Sequence, residues 1–126
     1  MSVEFAIGEM TRFETAEDGL SVRLDMEDVN GRLVSLRMPL HCLNQLIITL
    51  PLMISRALQQ QHHDASLRMV YPVARFRLEL GADFETRILT LETPDGFSVS
   101  FGLTEEQCRD IADDDRCERA PKLRAN

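Results

Sequence analysis

A chain of 126 residues, 44% hydrophobic and 28% charged, has the size and composition of one soluble globular domain. Its formal net charge of −7 opposes a phosphate backbone or an anionic membrane surface unless the basic residues are gathered on one face, which counts against nucleic-acid binding. Three cysteines with no C-x-x-C pair indicate neither a disulfide framework nor a zinc knuckle, so reduced thiols in the cytoplasm are expected. Glu4 and Glu9 fall where a secretory signal needs a basic start and an apolar run, which also points to the cytoplasm.

Val3, Phe5 and Ile7 alternate with Glu4 and Ala6, the period of a half-buried strand. Gly8 is expected to bend it, with EMTRFET continuing the same strand. AEDG turns the chain. Val22, Leu24 and Met26 then oppose Arg23, Asp25 and Glu27, and Asn30-Gly31 supplies the positive φ angles of a tight hairpin. Val34, Leu36, Met38 and Leu40 form the return strand against Ser35, Arg37 and Pro39, so the sheet should have one dry face and one wet one.

From His41 the period changes. Leu43, Leu46, Ile47, Leu50, Ile54, Ala57 and Leu58 recur at three- and four-residue steps, the stripe of an amphipathic helix. Pro51 inside it removes a hydrogen bond and crowds the carbonyl of Ile47, at about 3 kcal/mol, so a kink or a break near Thr49 is expected. The segment is too short and interrupted for a membrane span, which needs about 20 apolar residues.

After QQQHHDAS a second strand-rich half begins. Phe76, Leu78 and Leu80 alternate with Arg77 and Glu79, and GADFE turns the chain. Leu89 and Leu91 are flanked by Ile88 and Thr90, the pattern of a central strand. TPDG turns again, Phe97, Val99, Phe101 and Leu103 face inward, and Thr104-Glu105-Glu106-Gln107 has the form of a capping box. The helix it starts would turn Cys108 and Ile111 inward, and the nearly apolar-free residues 115–126 read as a flexible C-terminal tail.

The fold expected is one α+β domain over residues 1–114, with about six antiparallel strands in two β-β-β-α units, 1–63 and 64–114. A long central helix packs on the sheet and a short helix ends the domain. Arg12-Phe13 set over Arg75-Phe76, Leu24 over Leu89, Met26 over Leu91, Asn30-Gly31 over Asp95-Gly96 and Leu40 over Leu103 suggest an internal duplication, at an offset of roughly 63 to 65 residues. In topology alone, strand-rich repeats ending in a helix resemble the Pur-alpha and Whirly type of single-stranded nucleic-acid binder. That resemblance implies binding through a sheet face, although no motif residue carries it and the acidic balance opposes it.

No residue set has the spacing of a catalytic, cofactor or metal site. His62 and His63 with Asp64 point about 100° apart on a helix and read as its solvated end. His41 reads as a capping or packing residue, with a general base as the sharper alternative. Asp113-Asp114-Asp115 lacks the glycine and distal glutamate of a calcium loop and reads as a solvated charge run. Cys42 and Cys108, at helix starts, read as small buried hydrophobes, and Cys117 as the exposed thiol.

Two surfaces are candidates for contact. Arg12, Arg23, Arg37, Arg75, Arg77 and Arg87 would form a patch for an anionic partner if they share the outward sheet face. Leu43, Ile47, Leu50 and Ile54 would form the interface of a homodimer. The function expected is a small cytoplasmic binding or adaptor protein that acts through protein–protein contact, without cofactor or membrane. The alternatives are an enzyme or small-molecule binder with a pocket between helix and sheet, and a single-stranded nucleic-acid binder on the arginine-lined face.

Overall fold

The computed structural model describes residues 1–114 and the backbone of Arg124 and Ala125. The architecture is α+β: strands β1 (Ile7–Thr15), β2 (Ser21–Asp28) and β3 (Leu33–Pro39), helix α1 (Leu40–His62), strand β4 (Met69–Val70), strands β5 (Arg75–Leu80), β6 (Arg87–Glu92) and β7 (Ser98–Leu103), helix α2 (Glu105–Asp113), and strand β8 (Arg124–Ala125). Two antiparallel three-stranded meanders, β1-β2-β3 and β5-β6-β7, account for the six strands expected. β4 and β8 add a short parallel pair. The expected tail, 115–126, lies outside the described residues except for that β8 backbone.

The chain divides into two compact units, Met1–Leu52 and Met53–Asn126. The division falls inside α1, just after Pro51. The helix itself is continuous from Leu40 to His62, with no break at Thr49. Near the proline, the Thr49 hydroxyl donates to the carbonyls of Gln45 and Leu46 at 2.9 and 3.1 Å, taking up acceptors one turn back. The helix ends in a left-handed cap: His63 has φ 52°, its N–H donates to the Gln60 carbonyl, and the Asp64 N–H reaches back to the Gln59 carbonyl. The polar His62-His63-Asp64 run is thus a helix terminus.

In the first unit the strand begins at Ile7, not Val3. The Val29 N–H donates to the Ala6 carbonyl, and Gly8 and Thr11 each shift the register with β2. The strand thus continues through Gly8 with an irregularity in its pairing there, and Thr11 adds a second. Directly opposed residues share a face, so Met10, Phe13, Val22, Leu24, Met26, Val34, Leu36 and Met38 make one side of this sheet. In the second unit the same logic puts Phe76, Leu78, Leu89, Leu91, Val99 and Phe101 on one side, with β6 central as its composition implied.

Both meanders turn in the same way. In the first turn the N–H of Ala16 donates to Ser21 and that of Gly19 to Ala16, while Leu20 N–H donates to the Asp18 carboxylate; Gly81, Phe84 and Glu85 repeat this with Thr86, Gly81 and Asp83. In the second, Asp28 and Arg32 close a loop over Gly31, and Thr93 and Phe97 close the same loop over Gly96, with the Asp28 or Thr93 side chain accepting from the closing N–H. Each equivalent stands 65 positions on, as Gly96 does from Gly31.

This correspondence shifts two of the expected pairings. Arg12 opposes Asp25 as Arg77 opposes Thr90, so Arg12-Phe13 matches Arg77-Leu78 rather than Arg75-Phe76. Leu40 matches Glu105, the first residue of each helix, rather than Leu103. The Asn30-Gly31 loop is also longer than a two-residue hairpin turn: only Gly31 has positive φ, 82°, because the Asp28 carboxylate holds Asn30 and Arg32 in a wider loop.

Among the described residues the only buried large apolar side chains are Met26 and Leu67. Leu67 sits where the chain runs back along α1, tied by Gln59 Nε2 to the Leu67 carbonyl and by Met69 N–H to the Ser55 hydroxyl. The expected packing of the long helix on a sheet is not made inside either unit, since no residue of α1 is buried. In the first unit the reason is covalent: α1 starts at Leu40, directly after Pro39 ends β3, with no loop to reverse the chain. Helix and sheet that pack together are ordinarily joined by about 2–6 residues.

A Cβ added at Gly31 or Gly96 would project into open space, so Ala at either position costs only backbone strain. Gly31→Ala and Gly96→Ala should each lower stability by about 1 kcal/mol in urea unfolding. Phe84 occupies the same left-handed region at φ 60° in the place of Gly19. Phe84→Gly should therefore raise stability, by up to about 1 kcal/mol, once glycine's extra unfolded-state entropy is set against the relieved strain.

Candidate functional site: the polar sheet faces and the apolar helix

The polar face of the first sheet is organised on Asp25, in the middle of the central strand. Its carboxylate accepts from the Ser35 hydroxyl at 2.7 Å, from Arg12 Nε at 2.8 Å and from Arg23 Nε at 3.1 Å. The other end of Arg23 reaches Glu14 at 2.7 Å. These contacts follow from the register: Arg12, Asp25 and Ser35 are directly opposed across the three strands, and Glu14, Arg23 and Arg37 form the next row. Arg37 donates to the Ser21 hydroxyl at 3.1 Å. The bulge at Thr11, whose hydroxyl bonds the Asp25 carbonyl at 3.0 Å, brings Arg12 into line.

The hydroxyl of Ser35 and the guanidiniums of Arg12 and Arg23 hold Asp25 well below the usual carboxylate range, at about 2. Together they line an open depression of ≈ 470 Å³ with Thr11 and Leu33. It is a charge-neutralised surface rather than an enclosed pocket. On the second sheet Arg75 meets Glu92 at 2.5 Å, Arg77 meets Glu79 at 3.0 Å, and the Thr90 and Ser100 hydroxyls pair at 2.7 Å.

The six arginines expected to form one patch come from both sheets. Arg12, Arg23 and Arg37 share the polar face of the first sheet, and Arg75 and Arg77 that of the second. Arg87 opposes Leu80 and Leu103 and falls on the side of Leu89 and Leu91 instead. Around the first set, Glu9, Glu14, Asp25 and Glu27 occupy the same face, and Asp25 and Glu14 pair with Arg12 and Arg23. Sequence reading missed Asp25 as the partner of Arg12 and Glu14 as the partner of Arg23 because those pairings are cross-strand and depend on the register.

Along α1, Leu43, Ile47, Leu50 and Ile54 lie on one narrow arc. Ile47 is 64% exposed and Leu50 39%, while Leu43 and Ile54 are half-buried. Ile48, at 77%, and Leu52 extend apolar surface to the far side of the helix. Arg56 is the only side chain of the helix with a fixed charge. His41 is exposed at the helix start, and Cys42 and Cys108 are half-buried. Ile111, expected to face inward on α2, is 63% exposed, although the capping box at Thr104 forms as anticipated. Asp115 and Cys117 lie outside the described residues.

Among the described residues no group of three or more His, Cys, Asp or Glu is placed to hold a metal, and no helix is long and apolar enough to cross a membrane. The chain matches no protein-family model, no curated protein and no solved structure.

Asp25 gives a pH signature with a definite sign. Its folded pKa, about 2, lies below the ordinary 3.8, so its contribution is present above the ordinary value and lost as pH falls through the folded one. Asp25→Asn should destabilise the protein at pH 7, and the difference from wild type should shrink between about pH 4 and pH 2. Urea midpoints measured across that range check it, and a difference independent of pH would remove the ion-pair account.

Proposed function

We propose that this protein is a small non-enzymatic binding or adaptor module that acts in the cytoplasm by protein–protein contact and self-associates as a homodimer. One observation carries the reading: the largest apolar side chains of both meanders and of α1 are exposed. On the first sheet Phe13 is 67% exposed and on the second Phe76 is 74%, each on its sheet's apolar face. Contiguous apolar surface of this kind marks an interaction site.

The nucleic-acid reading is less well supported, because four of the arginines that would meet phosphate, Arg12, Arg23, Arg75 and Arg77, are paired with carboxylates and Arg87 lies on the opposite face of its sheet. An enzyme with its pocket between helix and sheet requires the two to be packed together, and inside neither unit are they. The recurrence of both turns and of the helix start at one spacing supports duplication of a single β-β-β-α unit as the origin of the chain.

Sedimentation equilibrium at micromolar concentration tests the self-association. The expected mass is twice the 14.4 kDa of one chain, and Ile47→Glu should return it to 14.4 kDa with the circular dichroism spectrum retained. A single-chain mass for the wild type rejects the dimer. Salt-dependent binding of a single-stranded oligonucleotide would instead favour the nucleic-acid reading.

A further inference from the structure

The outer edges of the two meanders differ in what they offer a further strand. In an antiparallel ladder the N–H and C=O of one residue point to the same side of the strand, and those of its neighbour to the other. The Thr93 N–H donates to the Phe97 carbonyl and the Gly81 N–H to that of Thr86, so the even residues of β6 face β5 and are met there by Arg75, Arg77 and Glu79. The backbone groups of Phe76, Leu78 and Leu80 therefore point away from β6. Among the described residues β5 pairs with no other strand, and all of its residues are exposed. Only before the strand does the alternation lapse, where the Ala74 N–H also reaches the Glu92 carbonyl.

The residues of this edge make it complementary to itself. When two copies of β5 are set antiparallel about Leu78, Arg77 of each lies opposite Glu79 of the other, Phe76 opposite Leu80, and Leu78 opposite Leu78. Every outward backbone group then meets an outward one, because Phe76, Leu78 and Leu80 exchange both N–H and C=O bonds with their counterparts. A pairing centred on Arg77 is equally open to the backbone, but it sets two guanidiniums directly opposite each other, and like charges so placed destabilise. Centred on Leu78, the Arg77–Glu79 pair that stands 3.0 Å apart within the strand becomes half of a ring of alternating charge. No other edge of the meanders combines an unbroken ladder with charges that select a register. β1 carries two irregularities, β3 ends in Pro39, which has no N–H to donate, and β7 bears no charged residue.

We propose that β5 is a second self-association surface, at which two copies join antiparallel about Leu78 into one continuous sheet in the order β7-β6-β5-β5-β6-β7. The contact is isologous, closes on its own two-fold axis, and is separate from the helix stripe invoked for the homodimer. It rests on main-chain hydrogen bonds and exposed ion pairs rather than on a large buried area, so it forms above the micromolar range. A wild-type chain carrying both contacts assembles beyond two copies as concentration rises.

Charge exchange tests the contact in the full chain carrying Ile47→Glu, where the helix contact is removed and β5 stands alone. Sedimentation equilibrium at low ionic strength, from micromolar to millimolar loading, is run on this parent, on the parent with Arg77→Glu, on the parent with Glu79→Arg, and on an equal mixture of the two reversals. The expected mass rises from one copy towards two for the parent, stays at one copy for each reversal, and rises again for the mixture, because mixing restores opposite charges across the pair. Rescue by mixing is a result that a merely structural effect of either substitution does not produce. A parent that stays at one copy overturns the proposal, as does a reversal that leaves association intact or a mixture that stays at one copy. A single-chain wild type at micromolar concentration rejects the homodimer reading alone, since the β5 contact is read at higher loading. Arg77→Asp or Glu79→Lys replaces a reversal that loses the wild-type circular dichroism spectrum. If Ile47→Glu loses it, the reversals are made in the wild-type chain, and the same pattern is read as mass above that found at micromolar concentration.

Discussion

A three-stranded antiparallel sheet has two faces and no way to cover either one by itself. Everything else in this protein follows from how its two meanders meet that constraint. Each dresses one face with ion pairs and hydroxyls and leaves the other apolar. Burying apolar area stabilises by about 25 cal/mol per Å², so an uncovered face of Phe, Leu and Met forgoes the largest favourable contribution to folding. Phe13 and Phe76 accordingly stay exposed on the apolar faces of the two sheets.

The polar faces serve a different purpose. A one-residue slip would carry Phe13 and Leu24 to the wet side and Arg12 and Asp25 to the dry one, and burying those charges unpaired is costly. Asp25, 14% exposed and held by groups from both neighbouring strands, rewards one register. Its ion pairs are surface interactions of modest individual value, and their importance lies in this selectivity. The same network engages Arg12, Arg23, Arg75 and Arg77 with carboxylates on their own sheets, whereas Arg37 meets the Ser21 hydroxyl.

The turns show how loosely a given residue is tied to a given geometry. Gly19 and Phe84 occupy one backbone conformation, although only glycine adopts it without strain. Asp28 and Thr93 accept the same closing hydrogen bond with different oxygens. What recurs along the chain is the hydrogen-bond pattern and the spacing between turns, while the side chains that satisfy the pattern vary. The strand pairings inherit that spacing, and the start of each helix inherits it from the strands.

Alternation alone determined most of the strands, their faces and the central place of β6, because the period of two is a local property that no distant contact alters. The same holds for the stripe on α1 and for the Thr104 capping box, which close within one helical turn. Only the tertiary structure decided the rest. The register set Arg12 opposite Asp25 and Arg77 opposite Thr90, and so decided which residues of the two halves correspond, and Arg87 fell on the apolar side because its row is set by Leu80 and Leu103. Pro51 did not break the helix, and Asp25 for Arg12, Glu14 for Arg23 and Glu92 for Arg75 became visible as partners only across strands. These features depend on which residues are brought opposite one another, and a pattern read along the chain carries no information about that.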